Sequence, residues 1–132
     1  MHILPSTPTA KNPPEWFTGD VWLDQVVTPQ DEGQRMSAGL VRFAPGARTA
    51  WHSHPLGQTL RIVEGTALVQ ARGAEVLEVH AGQTIYTPPG EEHWHGAASD
   101  SFMTHLALWE TPEGDESAHW GPHVTDAEYH SR

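Results

Sequence analysis

Residues 46–65, GARTAWHSHPLGQTLRIVEG, decide the fold, because they read as extended chain with polar, metal-capable side chains on the face turned away from water. Along a strand, side chains alternate, so His52 and His54 point one way and Trp51 and Ser53 the other. Gln58 shares the parity of the histidines, and Leu60 and Ile62 continue that face while Thr59 and Arg61 take the opposite one. Arg61 belongs in water, which makes the histidine face the interior. Two neutral imidazoles and an amide are costly to bury unpartnered, and one divalent cation would serve all three. In a chain with 10 histidines an isolated His-x-His is as readily chance.

Around this segment apolar residues recur with period two and are cut by glycine or proline, the pattern of short antiparallel strands. The predicted strands are VWLDQVV (21–27), MSAGLVRF (36–43), QTLRIVEG (58–65), ALVQARG (67–73), EVLEVHAG (75–82), TIYTPPG (84–90) and FMTHLALWE (102–110). Turns are expected at Pro45-Gly46, Glu64-Gly65, Gly73, Gly82 and Pro88-Pro89-Gly90. That spacing predicts an all-β sandwich or barrel. Residues 1–15, with Pro5, Pro8, Pro13 and Pro14, read as an extended N-terminal arm, leaving 16–132 as one domain. Thr125 and Glu128 fit a capping box ahead of a short C-terminal helix, too short on this reading to be a core element.

Bulk composition narrows the chemistry. A chain of 132 residues is about one domain. Its 17 acidic and 7 basic side chains give a formal charge of -10, which argues against nucleic acid or anionic lipid as partners. With no cysteine, any metal must be held by nitrogen and oxygen. No basic-then-apolar leader opens the chain and no apolar run approaches the roughly 20 residues of a membrane span, so a soluble, cytoplasmic protein is expected.

A second histidine pair weakens the case for chance considerably. Residues 82–97, GQTIYTPPGEEHWHGA, place His93 and His95 just after a proline-glycine turn. Together, Gly46-x5-His52-x-His54-x3-Gln58-x6-Gly65 and Gly82-x5-Pro88-x-Gly90-x2-His93 closely resemble the two motifs of the cupin family. The resemblance implies a single-domain jelly-roll barrel, a double-stranded β-helix, with the motifs on adjacent strands. It also implies one metal ion held by His52, His54, Gln58 and His93. Two positions depart from the family pattern: Gln58 stands where most cupins have glutamate, and Ala97 where the second motif usually ends in asparagine.

PGARTAWHSHPLGQTL, PGEEHWHGA and MTHLAL are similar, more narrowly, to the small manganese-dependent cupin hydroxynitrile lyases of bacteria. That likeness implies Mn²⁺ as cofactor, with Fe²⁺, Ni²⁺, Zn²⁺ and Co²⁺ as alternatives that nitrogen and oxygen ligands do not exclude. It implies His95 as general base and His105 as a second catalytic group beside the metal. The other readings are a ligand or supporting role for His95 and a hydrogen-bonded core histidine at position 105. Trp109 stands where those lyases have a glutamine. Gly39, Val41 and Phe43 share one face and, with Trp109, suit either an apolar substrate pocket or ordinary core. The expected partner is a small molecule with an apolar or aromatic part, and the expected reaction is cleavage or formation of a cyanohydrin. A cupin dioxygenase, another small-molecule-converting cupin, or a non-catalytic binding module are the competing readings. Gln58 in place of a glutamate keeps the full charge on a divalent ion, favouring Lewis acidity over redox chemistry. Trp51 and Trp94 alternate with inward histidines and should face outward, so a second sheet or a partner subunit is expected to cover them, giving a homodimer or homotetramer.

Overall fold

Twelve strands and one helical turn carry the chain, and the computed structural model describes all of residues 1–132. The strands are Ala10–Lys11 (β1), Phe17–Thr18 (β2), Val21–Val27 (β3), Met36–Phe43 (β4), Arg48–Thr49 (β5), His52–Ser53 (β6), Gln58–Ala71 (β7), Leu77–His80 (β8), Thr84–Thr87 (β9), His93–Ala97 (β10), Met103–Glu110 (β11) and His119–Trp120 (β12); Asp126–Tyr129 is the helix α1. They form a curled antiparallel sheet in the order β1-β3-β4-β11-β7-β10-β5-β2, with β8 and β9 on β7, β6 on β10 and β12 on β6. This is the all-β architecture that the period-two pattern implies. No helix is long and apolar enough to cross a membrane.

Strand β7 joins the two walls of the curled sheet. Its first half pairs with β9 and β11 and its second half with β8 and β10. The turn expected at Glu64-Gly65 is absent: the two strands predicted there are one strand of 14 residues. Gly65 makes the passage possible, with φ 75° and a site where an added Cβ would lie 1.9 Å from the Phe102 carbonyl oxygen. The register with β11 shifts beside it, between Thr104 and His105. Glycine here permits a bulge that bends a strand rather than a turn that ends one.

The histidine segment also departs from a single strand. A turn at Pro55 and Leu56 separates β6 from β7, so the alternation counted from His54 to Gln58 does not run through continuous strand. Gln58 faces inward because β7 sets its own alternation, in which Gln58, Leu60 and Ile62 are buried and Arg61 is exposed. The segment His93–Ala97 was not among the predicted strands, yet it is β10, buried along its whole length. It aligns His93 with His52 of β6 and with Ala71 of β7.

Two clusters make the core. Inside the barrel, Val21, Phe43, Leu60, Ile62 and Met103 pack with Val41 and Ala107. Outside β10 a second cluster joins Trp51, Leu68 and Trp94 to Val124 and Tyr129. The chain's own residues 124–129 therefore cover both tryptophans, and neither a second sheet nor a partner is needed for this face. The helix predicted to lie outside the core contributes to it through Tyr129, 1% exposed, whose hydroxyl donates to the Ala97 carbonyl at 2.7 Å. Arg48, also buried, fastens the segment: its guanidinium donates to the Val124 carbonyl at 2.9 and 3.1 Å and to Asp126 at 2.7 Å, and lies over the Tyr129 ring at 4.7 Å. The capping box of Thr125 and Glu128 forms as the sequence suggests.

Candidate active site

Five imidazoles meet on the inner wall: His52 from β6, His54 just after it, His93 and His95 from β10, and His105 from β11. All five are buried. Ring centroids are 4.3 Å apart for His52 and His93, 5.0 Å for His52 and His54, and 4.8 Å for His95 and His105. A nitrogen of each of His52, His93 and His95 lies within 4.8 Å of the others.

The partner of each Nδ1 divides these residues into two groups. His52 Nδ1 bonds to the Ala50 carbonyl at 2.9 Å, His54 Nδ1 to that of Ser117 at 2.8 Å and His93 Nδ1 to that of Glu91 at 3.0 Å. A carbonyl only accepts, so each Nδ1 carries the proton and each Nε2 presents a lone pair. Histidines that bind metals are held in this way, by a second interaction that fixes tautomer and ring orientation. His54 Nε2 is buried with no partner. Gln58 Oε1 lies 3.2 Å from His93 Nε2. Two acceptors at that separation repel unless they share a cation or the amide turns so that its NH₂ donates. Three imidazole lone pairs and an amide oxygen, with no thiolate or carboxylate among them, fit a divalent cation.

His95 and His105 have no carbonyl anchor. His95 Nδ1 and His105 Nε2 are 3.0 Å apart, and the outer nitrogens, His95 Nε2 and His105 Nδ1, are buried without partners. One proton lies between the rings, so the pair has two tautomeric arrangements, and moving that proton reverses which outer nitrogen bears a hydrogen. By distance alone the trio of close nitrogens is His52, His93 and His95, with His54 outside it; the carbonyl anchor is what sets His54 beside His52 and His93 and separates His95 from them.

Burial depresses the basicity of the whole group. It pushes His54 and His105 down to about 4. It holds His52 and His95 well below the usual histidine range, with neighbouring imidazoles adding to the effect, and lowers His93 as well. All five are neutral at neutral pH, the state required both for metal ligation and for accepting a proton.

Beside these nitrogens lies a cavity of about 250 Å³. Val41, Phe43, Ala107 and Trp109 line one wall, as the sequence allows. Gly39 is buried but does not reach the cavity, because Leu23 fills the space beside it: an added Cβ would meet the Leu23 side chain at 2.6 Å. Leu23 lines the cavity in its place. The cavity is also lined by residues that the sequence did not point to as site residues, namely Asn12, Pro13, Trp16 and Phe17 before β3, and Ser117, Ala118 and Trp120 after β11. For these segments the available signal was composition, two tryptophans in stretches without strand periodicity.

Comparison with known proteins agrees with this geometry. The family model described as "Cupin domain" matches residues 39–110. The (R)-mandelonitrile lyase of Granulicella tundricola is 46% identical over 124 residues, which are 94% of this chain and 93% of that protein. A cupin-like protein from Thermotoga maritima, solved by crystallography, superposes with a TM-score of 0.86 at 35% identity, over 99% of this chain and 96% of that one. A DMSP lyase from Ruegeria pomeroyi shares the fold alone, with a TM-score of 0.63 at 18% identity over 80% of this chain and 51% of that one.

Proposed function

The chain belongs to the cupin family, and from that premise we propose that it is a metal-dependent lyase that cleaves, and in reverse forms, cyanohydrins. The observation that carries this reading is the pair His95–His105, two neutral imidazoles with unpartnered outer nitrogens, set between a ligand-like nitrogen cluster and an aromatic cavity. The 46% identity to a mandelonitrile lyase supports the choice among cupin reactions. His52, His54, Gln58 and His93 are the residues that would hold the ion, with Mn²⁺ the favoured metal. When bound, the ion supplies a Lewis acid whose charge no protein carboxylate offsets.

The chain's own groups account for the proton movements. His95 Nε2 takes the proton from the substrate hydroxyl, and the O–H electron pair becomes the second bond of the carbonyl. The carbon–carbon bond breaks with its electron pair on cyanide. The contact from His95 Nδ1 to His105 Nε2, 3.0 Å long, redistributes the acquired proton across the pair, and cyanide leaves with a proton as hydrogen cyanide. Apolar walls keep bulk water from the carbonyl product.

The test is mandelonitrile cleavage under nitrogen, with elemental analysis of the purified protein, for the wild type and His93→Ala. Metal and anaerobic cleavage in the wild type, both lost in the variant, are expected. Metal without anaerobic cleavage rejects the lyase and favours an oxygen-dependent reaction; absence of metal rejects the centre itself.

A further inference from the structure

A second cavity, of about 350 Å³, meets the histidine cluster at His93, the one proposed ligand that does not line the first. The topology accounts for it. Strands β8 and β9 each pair with β7, on its second and first halves, and not with each other, so no ladder joins the two walls along this side of the barrel. Gln58 and Leu60 face Thr87 and Ile85 across the ladder of β7 and β9, and Ala71 faces His93 across that of β7 and β10. The inner end is buried, with Leu60, Val69, Thr87 and His93 each 8% exposed or less. The outer end reaches solvent through Ala74, Glu75, Leu77, Tyr86 and Glu91, all exposed.

Charge separates the two cavities. No aspartate, glutamate, lysine or arginine lines the first, whereas the second carries two carboxylates, Glu75 and Glu91, at its exposed end. Neither carboxylate belongs to an ion pair, so their charge is not offset by a nearby cation. A hydrated dication entering the first cavity would pass uncharged, largely apolar walls that replace little of its water. Along the second it meets oxygen first at Glu75 and Glu91, then at Thr87 beside Gln58, and ends on His93, which the Glu91 carbonyl holds at 3.0 Å.

We propose that the cavity between β8 and β9 is the passage by which a divalent cation enters the histidine centre, with Glu75 and Glu91 collecting the ion at its opening. The division of labour leaves the uncharged cavity to the organic substrate. The proposal rests on the reading of His52, His54, Gln58 and His93 as metal ligands, and it concerns the rate of loading rather than the strength of binding or turnover. Charges at an opening act on the association rate, and each carboxylate is expected to speed uptake of a divalent ion roughly three- to fivefold at low salt.

The experiment mixes metal-free protein rapidly with Co²⁺ and follows quenching of tryptophan fluorescence, for which Trp120, 4.6 Å from the His52 ring between centroids, is the reporter. Rates are taken at about 0.01 M salt, where charges act over about 30 Å, and at about 1 M, where that reach falls to about 3 Å. Glu75→Gln/Glu91→Gln is expected to load roughly tenfold more slowly than wild type at low salt, the difference closing at high salt. Glu113→Gln/Glu116→Gln removes the same charge next to Ser117 of the first cavity and is expected to load as the wild type does. Ala74→Phe narrows the passage without touching the backbone bonds of its turn, and should slow loading at both salt concentrations. Thermal melting of each variant keeps loss of the fold apart from loss of the route. An unchanged rate in folded Glu75→Gln/Glu91→Gln overturns the passage and leaves the centre standing, and equal slowing in the two double variants overturns it in favour of overall charge. No uptake by the wild type removes the centre and the passage together; the expected loading pattern in a protein that fails to cleave mandelonitrile supports the passage and removes the lyase.

Discussion

Replacing Tyr129 tests whether the segment after β12 holds the histidine strand in place. Tyr129 is 1% exposed, packs in the cluster of Trp51, Leu68, Trp94 and Val124, and bonds through its hydroxyl to the Ala97 carbonyl at the end of β10. Tyr129→Phe keeps the ring and removes the hydroxyl, leaving a buried carbonyl short of one partner, a loss of about 1–3 kcal/mol. Tyr129→Ala also empties the space of the ring, and large-to-alanine changes at such sites cost about 3–5 kcal/mol. It further takes away the face on which the Arg48 guanidinium lies at 4.7 Å. At about 3–5 °C per kcal/mol for a domain of this size, the phenylalanine variant melts roughly 5 °C lower and the alanine variant 10 °C or more lower, about. Thermal melts and urea titrations of the metal-free protein measure this directly. Acrylamide quenching of tryptophan fluorescence should rise only for Tyr129→Ala, as Trp51 and Trp94 lose their cover. A cost below about 1 kcal/mol for Tyr129→Ala, with quenching unchanged, refutes the claim that residues 124–129 form part of the core.

Acidification should destabilise the metal-free protein. Burial holds His54 and His105 near 4 against 6.5 in the unfolded chain, so the folded state binds fewer protons between those values; stability is complete above about 6.5 and falls towards 4, by about 3 kcal/mol for each group. Urea midpoints that stay level from pH 7 to 4.5, about, contradict neutral burial of the cluster. His95→Ala should lower cyanohydrin cleavage by a hundredfold or more, roughly, while metal content stays at the wild-type level; full activity with metal retained removes His95 as base, and loss of metal makes it a ligand. Pairing of subunits, if it occurs, must use another face than that of Trp51 and Trp94. Leu40 and Leu106 stand opposite each other across β4 and β11, with half-buried Leu108 beside them, on the side facing away from Val41 and His105. Wild-type protein should sediment as a dimer or larger at micromolar concentration and Leu106→Glu as a monomer; a monomeric wild type ends this expectation.

The sequence conveyed those parts of the molecule that depend on spacing between neighbours. His52 and His54 flank one residue, Gln58 follows at a fixed distance, and His93 repeats the pattern after a proline-glycine turn, so their convergence was readable from the motifs. The inference about Gln58 reached the right face through an alternation that the turn at Pro55 interrupts. At Gly65 the sequence alone favours a turn, because glycine serves turns and bulges alike, and only the approach of Phe102, just before β11, decides between them. Strand β10 was hidden because it is covered on both sides, which erases the alternation that betrays a half-buried strand. Trp16 and Trp120 reach the cavity through backbone pairings with Ala50 and His52, far away in the chain, and local periodicity carries no record of these.

The Ser117 carbonyl that fixes His54 has a consequence for how such a centre changes through descent. Every residue offers a carbonyl, so position 117 can be substituted freely while the bond survives, and two relatives can differ there and hold the ion alike. What the bond does depend on is the path of the chain between β11 and β12. An insertion or deletion of one residue in that stretch would shift the carbonyl and release His54 with all the histidines still in place. On the proposed metal reading, affinity therefore depends partly on the length of that loop, and deleting one residue between β11 and β12 is expected to weaken binding of the ion with all five histidines still present.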